Sequence, residues 1–211
     1  MTTNTTTVTI AVPSIPIRGY HRAAALESVY NQTHPVDNVV LAVDHHHDGA
    51  WVTRNRAVRA ALATGSEWVG FLDDDDTLLP HHVAHLLEVA AEHDAGLVWG
   101  WFEVVGGTDP FPQNRGRQYV PQSPAPDSEL FCVPITYLVR ADLLAAGMDA
   151  TGGFQVDHKD WGSWNLQDLP LFDWMARHCR TFASPEVTWT WRHHGVGAPG
   201  RPGNTSGLGS R

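Results

Sequence analysis

Cysteine is scarce in this 211-residue chain, which carries only Cys132 and Cys179. They could form one disulfide, but nothing in the sequence brings them together, and both are expected to be reduced and buried in a cytoplasmic protein. Positive charge is short as well: 14 Lys and Arg stand against 23 Asp and Glu, a formal net charge of −9. That balance disfavours nucleic acid as a partner, because neutralising phosphates takes a basic surface. No apolar run approaches the roughly 20 residues that span a bilayer. Residues 1–7 are polar and Thr-rich, with neither a basic start nor an apolar stretch, and are expected to be disordered rather than a secretory signal. Internal repeats are lacking too. What is present suffices for a core, with 42% hydrophobic and 18% charged residues. The nine Trp leave two readings open, core packing or a sugar-stacking surface.

Up to residue 105 the chain alternates between two kinds of segment. Short β-branched or apolar runs at 8–12 (VTIAV), 39–43 (VVLAV), 68–72 (WVGFL) and 97–105 predict strands. Between them, residues 21–30, 52–63 and 80–93 have helical spacing or composition, and Pro80 suits a first turn. This rhythm predicts an α/β fold, a single Rossmann-like domain whose mainly parallel sheet is flanked by helices. The second half is less regular. A Gly- and Pro-bearing loop is expected at 106–126, a strand at 131–135, helices at 141–146 and 169–178, and a strand at 187–191. Residues 8–194 are read as one domain and 195–211 as a flexible tail.

In an open α/β sheet, ligands bind outside the carboxyl ends of the strands. Pro13 and Ser14 follow the first strand there, with Arg18 farther along the same loop, and Asp44 follows the second. The third runs directly into Asp73, Asp74, Asp75 and Asp76. Clustered oxygen ligands suit Mg2+ or Mn2+. On extended backbone, Asp73 and Asp75 would share one side and Asp74 and Asp76 the other. A helix-capping role for Asp76 is equally consistent with its position. A cation would also resolve a charge problem, since an acidic protein holds a diphosphate only where the local sign is reversed.

Four segments, in this order, resemble the family-2 glycosyltransferases of the GT-A fold. They are VTIAVPS; AALESVYNQTHPVDNVVLAVD; TRNRAVRAALATGSEWVGFLDDDD; and GGF…WNLQDLPLFDWMAR followed by WRHHG…NTSG. The resemblance implies a nucleotide-sugar donor held by Pro13, Ser14, Arg18, Asp44, Arg54, Asp73 and Asp74. It also implies a metal site of Asp75, Asp73 and His194, with His193 the less favoured neighbour. Asp168 matches the family's general base, which takes the acceptor's proton in an inverting transfer. The chain departs from the family where the usual Glu-Asp pair reads Gln167-Asp168, and where DHHHDG replaces Asp-Asp-Gly-Ser after the second strand. His45 to His47 are read as a loop rather than a metal tract, because successive side chains diverge.

The acceptor is expected on the side of Trp161, Trp164 and Asp168, and its nature stays open among glycan, protein and small molecule. Residues 106–126 and the tail are expected to order on substrate binding. Two other classes remain. A sugar-phosphate nucleotidyltransferase would use the same carboxylates and metal, but PSIPIRGY lacks the Gly-rich loop such enzymes display. A non-catalytic sugar- or metal-binding protein would account for the Trp and His content without chemistry.

Overall fold

The computed structural model describes residues 6–121, 136–155 and 168–192. A seven-stranded sheet forms its centre. In chain order the elements are β1 (Val8–Ser14), α1 (Gly19–Tyr30), β2 (Asn38–Val43), α2 (Ala50–Leu62), β3 (Trp68–Phe71) and β4 (Thr77–Leu78). They continue with α3 (His82–His93), β5 (Leu97–Val105), β6 (Tyr137–Arg140), α4 (Ala141–Thr151), α5 (Leu169–His178) and β7 (Thr181–Arg192). The sheet order is β2-β1-β3-β6-β5-β7-β4. Strands β2, β1, β3, β5 and β7 run one way, and β6 and β4 run against them, so the sheet is mainly parallel in direction.

Period-two side-chain alternation sends each central strand into both cores. In β1, Val8, Ile10 and Val12 face a core shared with Ala25 and Val29 of α1 and with Val83, Leu86 and Val89 of α3. Ala11 faces the other core, which α2, α4 and α5 build with Ala57, Val58, Leu144, Phe172 and Met175. β6 divides likewise, Leu138 to the first core and Tyr137 and Val139 to the second. α1 and α2 thus cover opposite faces, and the chain reverses its winding between β1 and β3. The crevice beyond the carboxyl ends of those two strands is where such a sheet receives a ligand.

Several expectations shift by a few residues or more. The third helix begins at His82 rather than Pro80, and β7 starts six residues before the 187–191 run. The strand expected at 131–135 lies outside the described residues, while β6 follows it at Tyr137–Arg140 and runs directly into α4. Of the 106–126 loop, the described part to residue 121 is already tied to β7. Gln118 exchanges two hydrogen bonds with the Ala183 backbone, both 2.9 Å, and Arg115 donates to the Pro185 carbonyl at 2.6 Å. Trp99, Trp101 and Trp189 are buried in the cores, whereas Trp161 and Trp164 lie outside the described residues. Cys179 is a free, half-buried thiol.

Candidate active site

β3 ends at Phe71, and the chain then turns rather than continuing extended. The Asp76 N–H donates to the Asp73 carbonyl at 3.2 Å, closing a tight turn over the four aspartates. This corrects the alternation expected of extended backbone. Carboxylate oxygens of Asp73, Asp75 and Asp76 lie within 4.8 Å of one another, while Asp74 bonds to Arg18 and to the loop after β1. Asp76 does not cap α3, whose N-cap is His81 without a side-chain bond. Its carboxylate instead accepts the backbone N–H of Arg192 at 2.7 Å. All four are buried. Burial, then the charges of Asp73 and Asp75, push the Asp76 carboxyl well above the usual range. Three buried, mutually repelling carboxylates with oxygen-only ligands fit a hard divalent cation.

Two arginines offset this charge. Arg18 places Nη1 2.7 Å from Asp74 Oδ1 and 2.9 Å from Asp75 Oδ2. Arg54, from α2, places Nη2 3.0 Å from both oxygens of Asp73, and its Nη1 lies 4.0 Å from Asp168 Oδ1. Burial disfavours the charged guanidinium of Arg54, but Asp73 and Asp168 outweigh it and raise its pKa. Asp74 is a fastening for the loop after β1: it accepts Ser14 Oγ at 2.7 Å and the Ile15 N–H at 3.3 Å. Arg22 donates to Ser14 Oγ from α1 at 3.1 Å.

Asp44 also organises its own loop. One carboxylate oxygen accepts the N–H groups of His46 and Asp48, and the other accepts that of Gly49. Burial works against the anion, but these donors outweigh it and hold the carboxyl below its ordinary value. His45 to His47 form the exposed bend these bonds shape, as expected of a loop. The next residues open α2, which carries Arg54 inward.

Asp168 precedes α5, and its backbone carbonyl accepts the Phe172 N–H at 3.0 Å. Burial raises its pKa, Arg54 opposes that rise, and Asp73 adds to it. Asp168 lines a cavity with Arg54, Asp73, Tyr137, Pro13 and Phe154. The structure therefore brings Pro13, Arg54, Asp73 and Asp168 together, with Asp74 and Asp75 along the adjoining turn and Arg18 paired to both. Asp44 and Ser14 sit at neighbouring strand ends, joined by the Asp44 N–H to the Ser14 carbonyl at 2.8 Å. His193, His194 and Gln167 lie outside the described residues. Arg192, two positions before His194, donates through Nε to the Asp75 carbonyl at 3.2 Å, which brings the end of β7 to the acidic turn. Sequence reasoning missed Asn55 and Tyr137. Asn55 follows Arg54 in α2 and clamps the Phe154 backbone with bonds of 2.7 and 2.9 Å, a pairing between residues far apart in sequence.

Residues 47–144 match the family model described as glycosyl transferase family 2. The resemblance to that family holds, and the fold is GT-A. The matched stretch of this family-2-like chain holds Arg54 and the acidic turn, and leaves β1, α5 and β7 outside. Among solved structures, S. aureus TarS residues 1–349 is similar at a TM-score of 0.64 and 16% identity, over 88% of this chain and 60% of that one. The same TarS fragment in complex with UDP-GlcNAc is similar at a TM-score of 0.66 and 16% identity, over 89% and 59%. The chain thus spans about 60% of the length of those TarS chains. No curated protein matches the sequence.

Proposed function

We propose that this chain transfers a sugar from a nucleoside-diphosphate sugar to an acceptor hydroxyl, with inversion at the anomeric carbon and with help from Mn2+ or Mg2+. The observation that carries this reading is Arg54, which stands between two kinds of carboxylate. On one side stands the Asp73–Asp75–Asp76 cluster, on the other the isolated Asp168. A transferase of this kind needs both, an anionic cluster to hold a cation and a lone base to receive a proton.

The cation would be held by Asp75 and Asp73, with Asp76 beside them, and His194 is the further ligand that the family resemblance implies. When bound, it would neutralise charge on the departing nucleoside diphosphate. Pro13 and Ser14 with Asp44 would line the nucleoside side, and Arg18 and Arg54 would face the diphosphate. Asp168 would accept the proton of the acceptor hydroxyl as its oxygen bonds to the anomeric carbon. The bond from that carbon to the phosphate oxygen breaks, and its electron pair leaves with the diphosphate. Burial suits Asp168 to the task, because a raised pKa makes it a better proton acceptor while the Arg54 charge opposes that rise. Acceptors remain of three kinds, glycan, protein or small molecule. Among the described residues no helix is long and apolar enough to cross a membrane.

UDP-sugars are the first donors to test, since TarS was crystallised with UDP-GlcNAc. A thermal-shift panel of UDP-, GDP-, dTDP- and CDP-sugars with Mn2+, Mg2+ or chelator should give one donor a cation-dependent rise in melting temperature. Turnover should then release the nucleoside diphosphate. Release of pyrophosphate would instead identify a nucleotidyltransferase, and binding without any turnover a sugar-binding protein.

A further inference from the structure

Tyr137 stands in the second core with its ring packed between Phe71, at 4.6 Å between centroids, and Phe172, at 5.7 Å. The residue is 1% exposed. Phenylalanine would make the same ring contacts, so packing does not account for the hydroxyl. Among the described residues that hydroxyl has no hydrogen-bond partner, although buried polar groups are nearly always paired, with protein or with ordered water. Asp168 Oδ1 is buried in the same condition. Both residues line one cavity, together with Arg54 and Asp73 and against the rings of Phe71 and Phe154. The phenol and the Asp168 carboxylate also interact electrostatically.

We propose that Tyr137 is a positioning residue for Asp168: its hydroxyl donates to one water, and that water donates to Asp168 Oδ1. A water held by a phenol, a carboxylate and a neighbouring guanidinium has the number of polar partners that ordered buried waters have. The effect is geometric. Arg54 is shared with Asp73 and approaches Asp168 at 4.0 Å, too far to fix the carboxylate plane alone. A second anchor from β6, the strand beside β3, holds Oδ1 inward and leaves the other oxygen for the acceptor hydroxyl. Tyr137 touches no reacting atom in this arrangement.

The proposal rests on Asp168 as the base, and the test separates the two. Tyr137→Phe is expected to lower kcat roughly 10- to 100-fold, the scale on which small misplacements of a catalytic group act. The donor KM should stay within about twofold, since the donor contacts are untouched. Unchanged kcat, or a rise in KM alone, would overturn the proposal. A high-resolution crystal structure of the unaltered chain supplies the second arm and needs no variant. It should show a water within hydrogen-bonding distance of both the Tyr137 hydroxyl and Asp168, and a dry gap there would overturn the proposal as well. Asp168→Asn reports on the base itself. If it kept turnover while the bridging water was present, the base reading would fail and the Tyr137 link to Asp168 would stand as structure alone, no longer as positioning.

Discussion

Arg54 holds Asp73 from α2, with Nη2 3.0 Å from each of its carboxylate oxygens. Both side chains are largely buried, at 12% and 9% exposure. Removing one partner of such a pair leaves an uncompensated charge, so Arg54→Met should destabilise the fold by about 3 kcal/mol. Urea denaturation measures this directly. Mn2+ should restore part of the loss, because a cation on the acidic turn relieves Asp73 in place of the guanidinium. Arg54→Lys keeps the charge but not the fork that spans Asp73 and Asp168. It should fold normally and still turn over poorly.

Arg18 pairs with Asp75, 2.9 Å from Oδ2, and would compete with a cation for that carboxylate. Arg18→Met should therefore tighten Mn2+ binding in the absence of nucleotide about tenfold, a difference of roughly 1.4 kcal/mol. Calorimetric titration with the metal alone reads this out. On the proposed function, the same variant should weaken nucleotide-sugar binding, because the diphosphate would lose the Arg18 charge. If Mn2+ bound no more tightly to the variant, Arg18 would not be competing for Asp75.

What was legible in the sequence followed from local pattern. β1, β2, β3 and β5 are short apolar runs bounded by polar or turn-forming residues, and each was readable within a few positions. β6 was not, because Tyr137–Arg140 passes into α4 with no turn residue between them, while Phe131–Ile135 offered an apolar run just upstream. β4 is two residues long and exists through its pairing with β7. Within the site, the strand-end rule located Ser14, Asp44 and the acidic turn. Which aspartates face one another depended on the Asp73–Asp76 turn, which a run of four identical residues does not announce. The partners of Arg18 and Arg54 lie 56 and 19 positions away, and only the folded sheet brings them together.

Gly153 explains part of the GGF segment. Its φ is +85°, and a Cβ there would come 2.3 Å from Asn55 Oδ1 and 2.7 Å from Met148 Sδ. Neither backbone nor space admits a side chain. Gly153→Ala should cost about 2 kcal/mol or more and loosen the Asn55 clamp on Phe154, which lines the cavity beside Asp168. Asn55→Ala removes the clamp without the steric clash. Both variants should lose turnover, measured at saturating donor, beyond what their unfolded fraction explains. If activity simply tracked the folded fraction, the clamp would serve stability alone.

His82 makes the fold acid-sensitive at a distance from the site. Its ring is 1% exposed, and Nδ1 lies 2.9 Å from Thr188 Oγ1 of β7. Burial pushes its pKa from 6.5 down to about 3; Thr188 opposes the shift, and His81 and His85 add to it. The unfolded chain therefore takes up a proton below about pH 6.5 that the folded chain refuses until near pH 3. Stability must fall as pH falls through that window, by roughly 2 kcal/mol between pH 7 and pH 5 for this one group. His82→Gln keeps a polar partner for Thr188 and does not titrate. Its denaturation free energy should lose about 2 kcal/mol less than the parent's over the same interval. The remaining histidines are common to both proteins and cancel in the comparison. Equal losses in the two would mean that His82 takes up its proton in the folded state after all.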